Sequence, residues 1–247
     1  MKTTMCADFE QAKRQAEERL AARDSIGRLQ EKRLHATLKY WLDADENHHE
    51  IPLPCGAVAD IFDGEQVIEI QNGNFSGFRI KLCRLLEEYP VTVIYPLPRR
   101  KTVFWIDPQT GDTSKGNRSP KVGTFADAAP ELLFIVKQLF HPALTVKLQL
   151  IDMDEYKLQD GWGNDGKRGA HRVERVPVSL GESLEIRTPQ DLKACLPAKL
   201  PAQFTSADYQ KCTRLRGRRL SAALKLFLEA GVVTREKQGN TYIYTVM

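Results

Sequence analysis

A mixed α/β fold with a smaller module at its C-terminal end is predicted by three observations. Short apolar or β-branched runs of strand length alternate with helical stripes from Leu29 to Asp152. Turn-forming pairs such as Asp63-Gly64 separate those runs. From residue 201 the chain changes to its own pattern of two amphipathic helices and a hairpin.

The chain has 247 residues, 42% of them hydrophobic, which suffices for a packed core plus a second module. It divides into residues 1–158, a Gly-rich, basic, Pro-punctuated connector over 159–200, and residues 201–247. The five cysteines, Cys6, Cys55, Cys83, Cys195 and Cys212, include no C-x-x-C pair. Reduced thiols in a cytoplasmic setting are therefore expected, not a disulfide frame or a zinc site. The charged first thirty residues lack an apolar signal core, and no run of about 18 apolar residues occurs, so neither export nor membrane insertion is predicted.

In order, the periodicity predicts an N-terminal helix carrying Leu29, Leu34, Leu38 and Trp41 and ending near Asp43. Strands follow at Glu50 to Leu53, Ala57 to Phe62 and Gln66 to Gln71. A helix from Phe75 to Glu88 places Phe78, Leu82, Leu85 and Leu86 at helical spacing. The apolar run Val91 to Tyr95 reads as a buried strand stopped by Pro96 and lying parallel to the strand of Glu69. A basic hairpin from Thr102, a helix near Ala126 to Phe140 and a strand from Leu144 to Asp152 complete the expected core. Gly161 to Gly166 matches G-x-G-x-x-G but opens no apolar helix, so it is rejected as a dinucleotide site.

Asp60 and Glu69 flank the Asp63-Gly64 turn. A two-residue loop opposes Asp60 to Val67, and a four-residue loop opposes Asp60 to Glu69. Either parity projects Asp60, Glu69 and Gln71 from one face, because side chains alternate along a strand. Two carboxylates among Val58, Ile61, Phe62, Val67, Ile68 and Ile70 repel unless a cation lies between them, and Mg²⁺ is a hard cation suited to such oxygens. His48 and His49 read as loop residues near the first core strand.

Positive charge is concentrated twice. Residues 99–121 carry six Lys or Arg against two acidic residues: Arg99, Arg100, Lys101, Lys115, Arg118 and Lys121. Residues 201–247 carry eight against three. Such blocks indicate a polyanionic partner, with a solvated basic face as the alternative. In the tail, a helix capped at Thr205 to Asp208, a second from Arg216 to Ala230 and a hairpin around Gly239 form a winged helix. Its second helix bears Arg216, Arg218, Arg219 and Lys225, and its wing bears Lys237, where a groove-reading helix and a backbone-touching wing need charge. A structural or protein-binding winged helix is the competing reading.

The α-β-β-β-α-β order with Asp60 and Glu69-Ile70-Gln71 resembles the PD-(D/E)xK nuclease superfamily, over about residues 26 to 96. The resemblance implies a restriction-endonuclease-like core joined to the winged helix, with Asp60, Glu69 and the carbonyl of Ile70 as ligands of Mg²⁺ or Mn²⁺. Gln71 stands where that superfamily usually has Lys. A neutral amide can position water but supplies no positive charge, so Lys81 on the following helix is the candidate replacement. Glu31 matches an accessory acidic position.

The function expected is divalent-metal-dependent hydrolysis of DNA. The alternative is a non-catalytic DNA-binding regulator with a degenerate core, and a nuclease acting on RNA is a weaker third. DNA is the expected partner, no membrane is expected, and a homodimer is allowed for.

Overall fold

The computed structural model of the protein describes residues 8–23, 32–161 and 169–247. It is a mixed α/β structure with two sheets. The chain enters through helices α1 (Phe9–Arg23) and α2 (Arg33–Leu42), then strands β1 (His49–Pro52), β2 (Val58–Phe62) and β3 (Val67–Ile70). Helix α3 (Phe75–Glu88) leads to the long strand β4 (Val91–Ile106) and to β5 (Asn117–Arg118). After short helical turns around α4 (Ala129–Leu132) come two more long strands, β6 (Leu144–Leu158) and β7 (His171–Ile186). The chain finishes with α5 (Pro189–Leu192), β8 (Gln203–Thr205), α6 (Ser206–Thr213), α7 (Gly217–Glu229), β9 (Val233–Gln238) and β10 (Thr241–Val246). The larger sheet has the order β1-β2-β3-β4-β6-β7 with β5 on β4, and the smaller has the order β8-β10-β9.

Two compact units cut across the boundaries read from sequence: the described residues within 1–49, 98–122 and 150–181 form one, and residues 50–97, 123–149 and 182–247 form the other. In the first, α1 packs on α2. Ala12 and Ala16 are fully buried, and Phe9 meets Trp41 edge-on at 6.1 Å. In the second, Phe75, Leu82 and Leu85 of α3 are buried, as are Leu132, Ile135 and Leu139. Helix α7 lays Ala223, Leu224, Leu226 and Phe227 inward and packs against α4. Phe204 stacks on Tyr244 at 5.4 Å, and Tyr209 meets Phe227 at 6.0 Å, so β8, β10 and both tail helices share one apolar centre.

Helix α3 spans the predicted residues. Asn74 adopts a left-handed conformation at its N-cap and accepts the N–H of Gly77, while Glu131 accepts the N–H of Phe75 at 3.2 Å. Three elements differ from expectation. Pro96 does not stop its strand: β4 continues through Pro96 and Pro98 to Ile106. Ile94 is the last residue of β4 registered with β3, and its carbonyl accepts from Gln71. Beyond it no β3 ladder bond is lost for want of a proline N–H. Much of the expected connector is strand β7, at the end of the sheet order, where an edge position tolerates Pro177. The helix expected over Ala126 to Phe140 is a run of short turns, Phe125–Ala128, α4 and Leu133–Ile135, begun by a reciprocal Thr124–Asp127 capping box.

Candidate functional site

The β2–β3 hairpin sets the site. Ile61 opposes Ile68 and Phe62 opposes Val67, so the loop has four residues and the continued register sets Asp60 opposite Glu69. Asp63 Oδ1 closes the turn by accepting the N–H groups of Glu65 and Gln66 at 2.9 and 2.8 Å. At the acids, side chains bridge the strands. Ile70 N–H donates to Asp60 Oδ2 at 2.7 Å, and Asp60 N–H donates to Glu69 Oε1 at 3.4 Å. Gln71 N–H binds β4 through the Ile94 carbonyl, so Ile70, one residue earlier, turns its main-chain groups toward β2, the edge on which Asp60 lies.

Lys81, in the second turn of α3, donates from Nζ to Glu69 Oε2 at 2.6 Å. Glu69 is 3% exposed and Asp60 is half-buried. Burial raises the Glu69 carboxyl most, the neighbouring charge of Asp60 raises it further, and Lys81 opposes both, leaving it at about 7. The Gln71 side chain, expected to project with the acids, donates its amide to the carbonyl of Gly73 in its own loop. Asp60, Glu69 and Lys81 are thus brought together, and Gln71 turns away. Glu31 lies outside the described residues, as does the Gly161 to Gly166 run from residue 162 onward. Among the described residues no group of three or more His, Cys, Asp or Glu is placed to hold a metal ion, so the acids are a pair. His48 binds Asp43 at 2.7 Å and His49 binds the Asp43 carbonyl at 2.9 Å; against the loop expectation, His48 ends a short helical turn and His49 is the first residue of β1.

The predicted basic residues fall into two groups. Arg99 is engaged by Asp152 through two bonds of 2.8 and 2.7 Å, Lys101 lies 3.3 Å from Glu155, and Lys225 lies 3.4 Å from Glu229. Arg100, Lys115, Arg118 and Lys121 are exposed, as are Arg216, Arg218, Arg219 and Lys237. Gly116 holds the Lys115–Arg118 segment against β4: a Cβ there would come within 2.7 Å of Phe104 and Thr102. Arg216 stands at the N-cap position of α7 without a side-chain capping bond, and Arg218 and Arg219 occupy its first turn, where the helix dipole disfavours cations. Lys157 and Arg175, which sequence reading did not single out, join Lys101 at Glu155 at 3.5 and 3.3 Å. Alternation along Asp152 to Lys157 could have signalled them, but Arg175 was read as connector.

The fold and site thus define a mixed α/β protein with a pair of carboxylates, the buried one of which, Glu69, is bonded to a helix lysine. Residues 32–187 match the family described as Domain of unknown function (DUF8091), and the chain belongs to that family. It is 26% identical over 223 residues to an uncharacterized protein of Treponema pallidum (strain Nichols), a similarity covering 89% of this chain and 87% of that protein. No solved structure matches it. No helix among the described residues is long and apolar enough to cross a membrane.

Proposed function

We propose that this protein is a divalent-metal-dependent nuclease that hydrolyses DNA phosphodiester bonds and is targeted by a C-terminal winged helix. The observation that carries the reading is the convergence of Asp60, Glu69 and Lys81 at the start of a parallel β3–α3–β4 crossover. Two antiparallel strands, a helix and a parallel strand in that order suit a restriction-endonuclease-like core. The order β8-β10-β9, with α6 and α7 between β8 and β9, suits a winged helix. Four cysteines among the described residues are free thiols, which suits a cytoplasmic protein.

The donor set fits Mg²⁺ or Mn²⁺: carboxylates of Asp60 and Glu69 and the carbonyl of Ile70 are hard oxygens, and a cation would relieve the Asp60 repulsion that, after burial, raises Glu69. When bound, such an ion lowers the pKa of an attacking water and offsets charge on the scissile phosphate. Lys81, held beside Glu69, has a long flexible ammonium that would meet a phosphate oxygen and supply the charge that Gln71 lacks. Arginines at the α7 N-terminus offset their conflict with the helix dipole when phosphates dock there.

One observation favours a second reading, a non-catalytic DNA-binding regulator: Lys81 already neutralises Glu69, so the acid pair has a protein counter-charge. Plasmid and oligonucleotide cleavage with Mg²⁺ or Mn²⁺ decides between them. The nuclease reading expects cutting that is abolished by Glu69→Gln and slowed about 10²- to 10³-fold by Lys81→Ala. Metal-independent DNA binding without cutting would leave the regulator.

A further inference from the structure

Outside the acid pair, a cluster of charge lies on the residue 98–106, 150–158 and 171–181 portions of β4, β6 and β7, all within one compact unit. Glu155, 3% exposed, is approached by Lys101 at 3.3 Å, Arg175 at 3.3 Å and Lys157 at 3.5 Å. The three cationic side chains keep 27%, 19% and 30% of their surface accessible. Burial pushes the Glu155 carboxyl up, yet Lys101, Arg175 and Lys157 together hold it below its usual value. Lys157 also lies over the Trp105 ring, 5.5 Å from its centre.

We infer that Lys101, Lys157 and Arg175, gathered on Glu155, form a receptor for phosphate groups of a nucleic-acid backbone. Lys101 and Lys157 both lean on the one carboxylate of Glu155, which Arg175 also approaches, so the two lysines alone bring more positive charge than Glu155 offsets. Their mutual repulsion is relieved by an anion arriving from the open side. One carboxylate fixes the three donors in place, so little side-chain freedom is lost when a phosphate binds. Arg99 does not belong to this receptor. Its guanidinium lies across Gly181, whose absent side chain makes the room, and is held in two bonds by Asp152. Arg118 does not belong to it either: it opposes Thr102 on β4 and so projects from the other face of the sheet. The nucleic-acid source of the phosphate rests on the proposed DNA function; the receptor itself rests on the cluster.

The test uses the full-length protein without divalent metal, so that its failure leaves the cleavage reading untouched. Binding of a fluorescent 20-nucleotide oligothymidylate and of a matched duplex is measured across a salt series. Inorganic phosphate and pyrophosphate serve as competing arms. Lys157→Gln with Arg175→Gln should weaken binding and reduce the slope of log K against log salt by about 1.4 for the single strand or about 1.8 for the duplex. Glu155→Gln should move affinity the other way, tightening binding because Lys101 and Lys157 lose their internal partner. Trp105 fluorescence should respond to the oligonucleotide in the wild type, and the response should disappear in Trp105→Phe. Unchanged affinity and slope in the double variant, or weaker binding by Glu155→Gln in a protein that still folds, would overturn the receptor. Equal occupancy by millimolar pyrophosphate with no gain from oligonucleotide length would overturn the nucleic-acid assignment.

Discussion

Lys81 Nζ lies 2.6 Å from Glu69 Oε2, a contact that ties helix α3 to strand β3 across twelve positions of sequence. The lysine reaches a carboxylate that burial and Asp60 both drive toward protonation. The pair is therefore a competition between an internal cation and whatever else can occupy that position.

The first prediction concerns pH. Glu69 has its folded pKa raised from 4.5 to about 7, so the folded state binds the proton more tightly than the unfolded chain. Its contribution to stability is greatest at low pH, falls as pH rises from about 4.5 to about 7, and is flat above that. The whole effect is at most on the order of 3 kcal/mol. Chemical denaturation of Glu69→Gln should show a smaller fall across that interval than the wild type and higher stability near pH 8.

The second concerns divalent metal. Mn²⁺ should raise the melting temperature of the wild type at pH 8, and Asp60→Asn should abolish the rise. Because Lys81 competes for Glu69, Lys81→Ala should bind Mn²⁺ more tightly even as it cuts DNA more slowly. Calorimetric titration reads the first effect; an unchanged melting temperature at millimolar Mn²⁺ would remove the metal from the site.

The third concerns the tail. Helix α7 packs on α4, so deleting residues 201–247 would uncover a core face and confuse folding with binding. Arg218→Ala with Arg219→Ala leaves that face intact, since both side chains are exposed. Duplex affinity should fall, and the salt slope should drop by up to about 1.8 if each arginine meets a phosphate.

The fourth concerns Gly116. A methyl group there meets Phe104 and Thr102 at 2.7 Å, closer than real Cβ contacts come. Gly116→Ala should lift the Lys115–Arg118 segment from β4 and cost about 1 to 3 kcal/mol. Amide exchange at Asn117 and Arg118 should speed up even where the melting temperature moves little.

What could be read from sequence was what local chemistry determines. The extent of α3 followed from its apolar stripe, and hairpin parity put Asp60 and Glu69 on one face whichever loop formed. The sequence left the loop length open, and the structure selected the one that sets the acids opposite each other. Non-local features were harder. Pro96 reads as a strand breaker because sequence does not reveal that β3 has already ended beside it. Arg175 sat in an apparent connector because its partner Glu155 is twenty residues away on another strand. The turning of Gln71 toward Gly73 depends on a loop conformation that no periodicity encodes.

The Ile70 amide is held by the site itself, through Asp60 Oδ2 at 2.7 Å, in place of an ordinary rung between strands. Any event that draws the Asp60 carboxylate toward a new cation loosens that hydrogen. Its chemical shift and exchange rate are therefore a built-in gauge of site occupancy, one backbone proton that reports on the acids without a label, a substrate or a turnover.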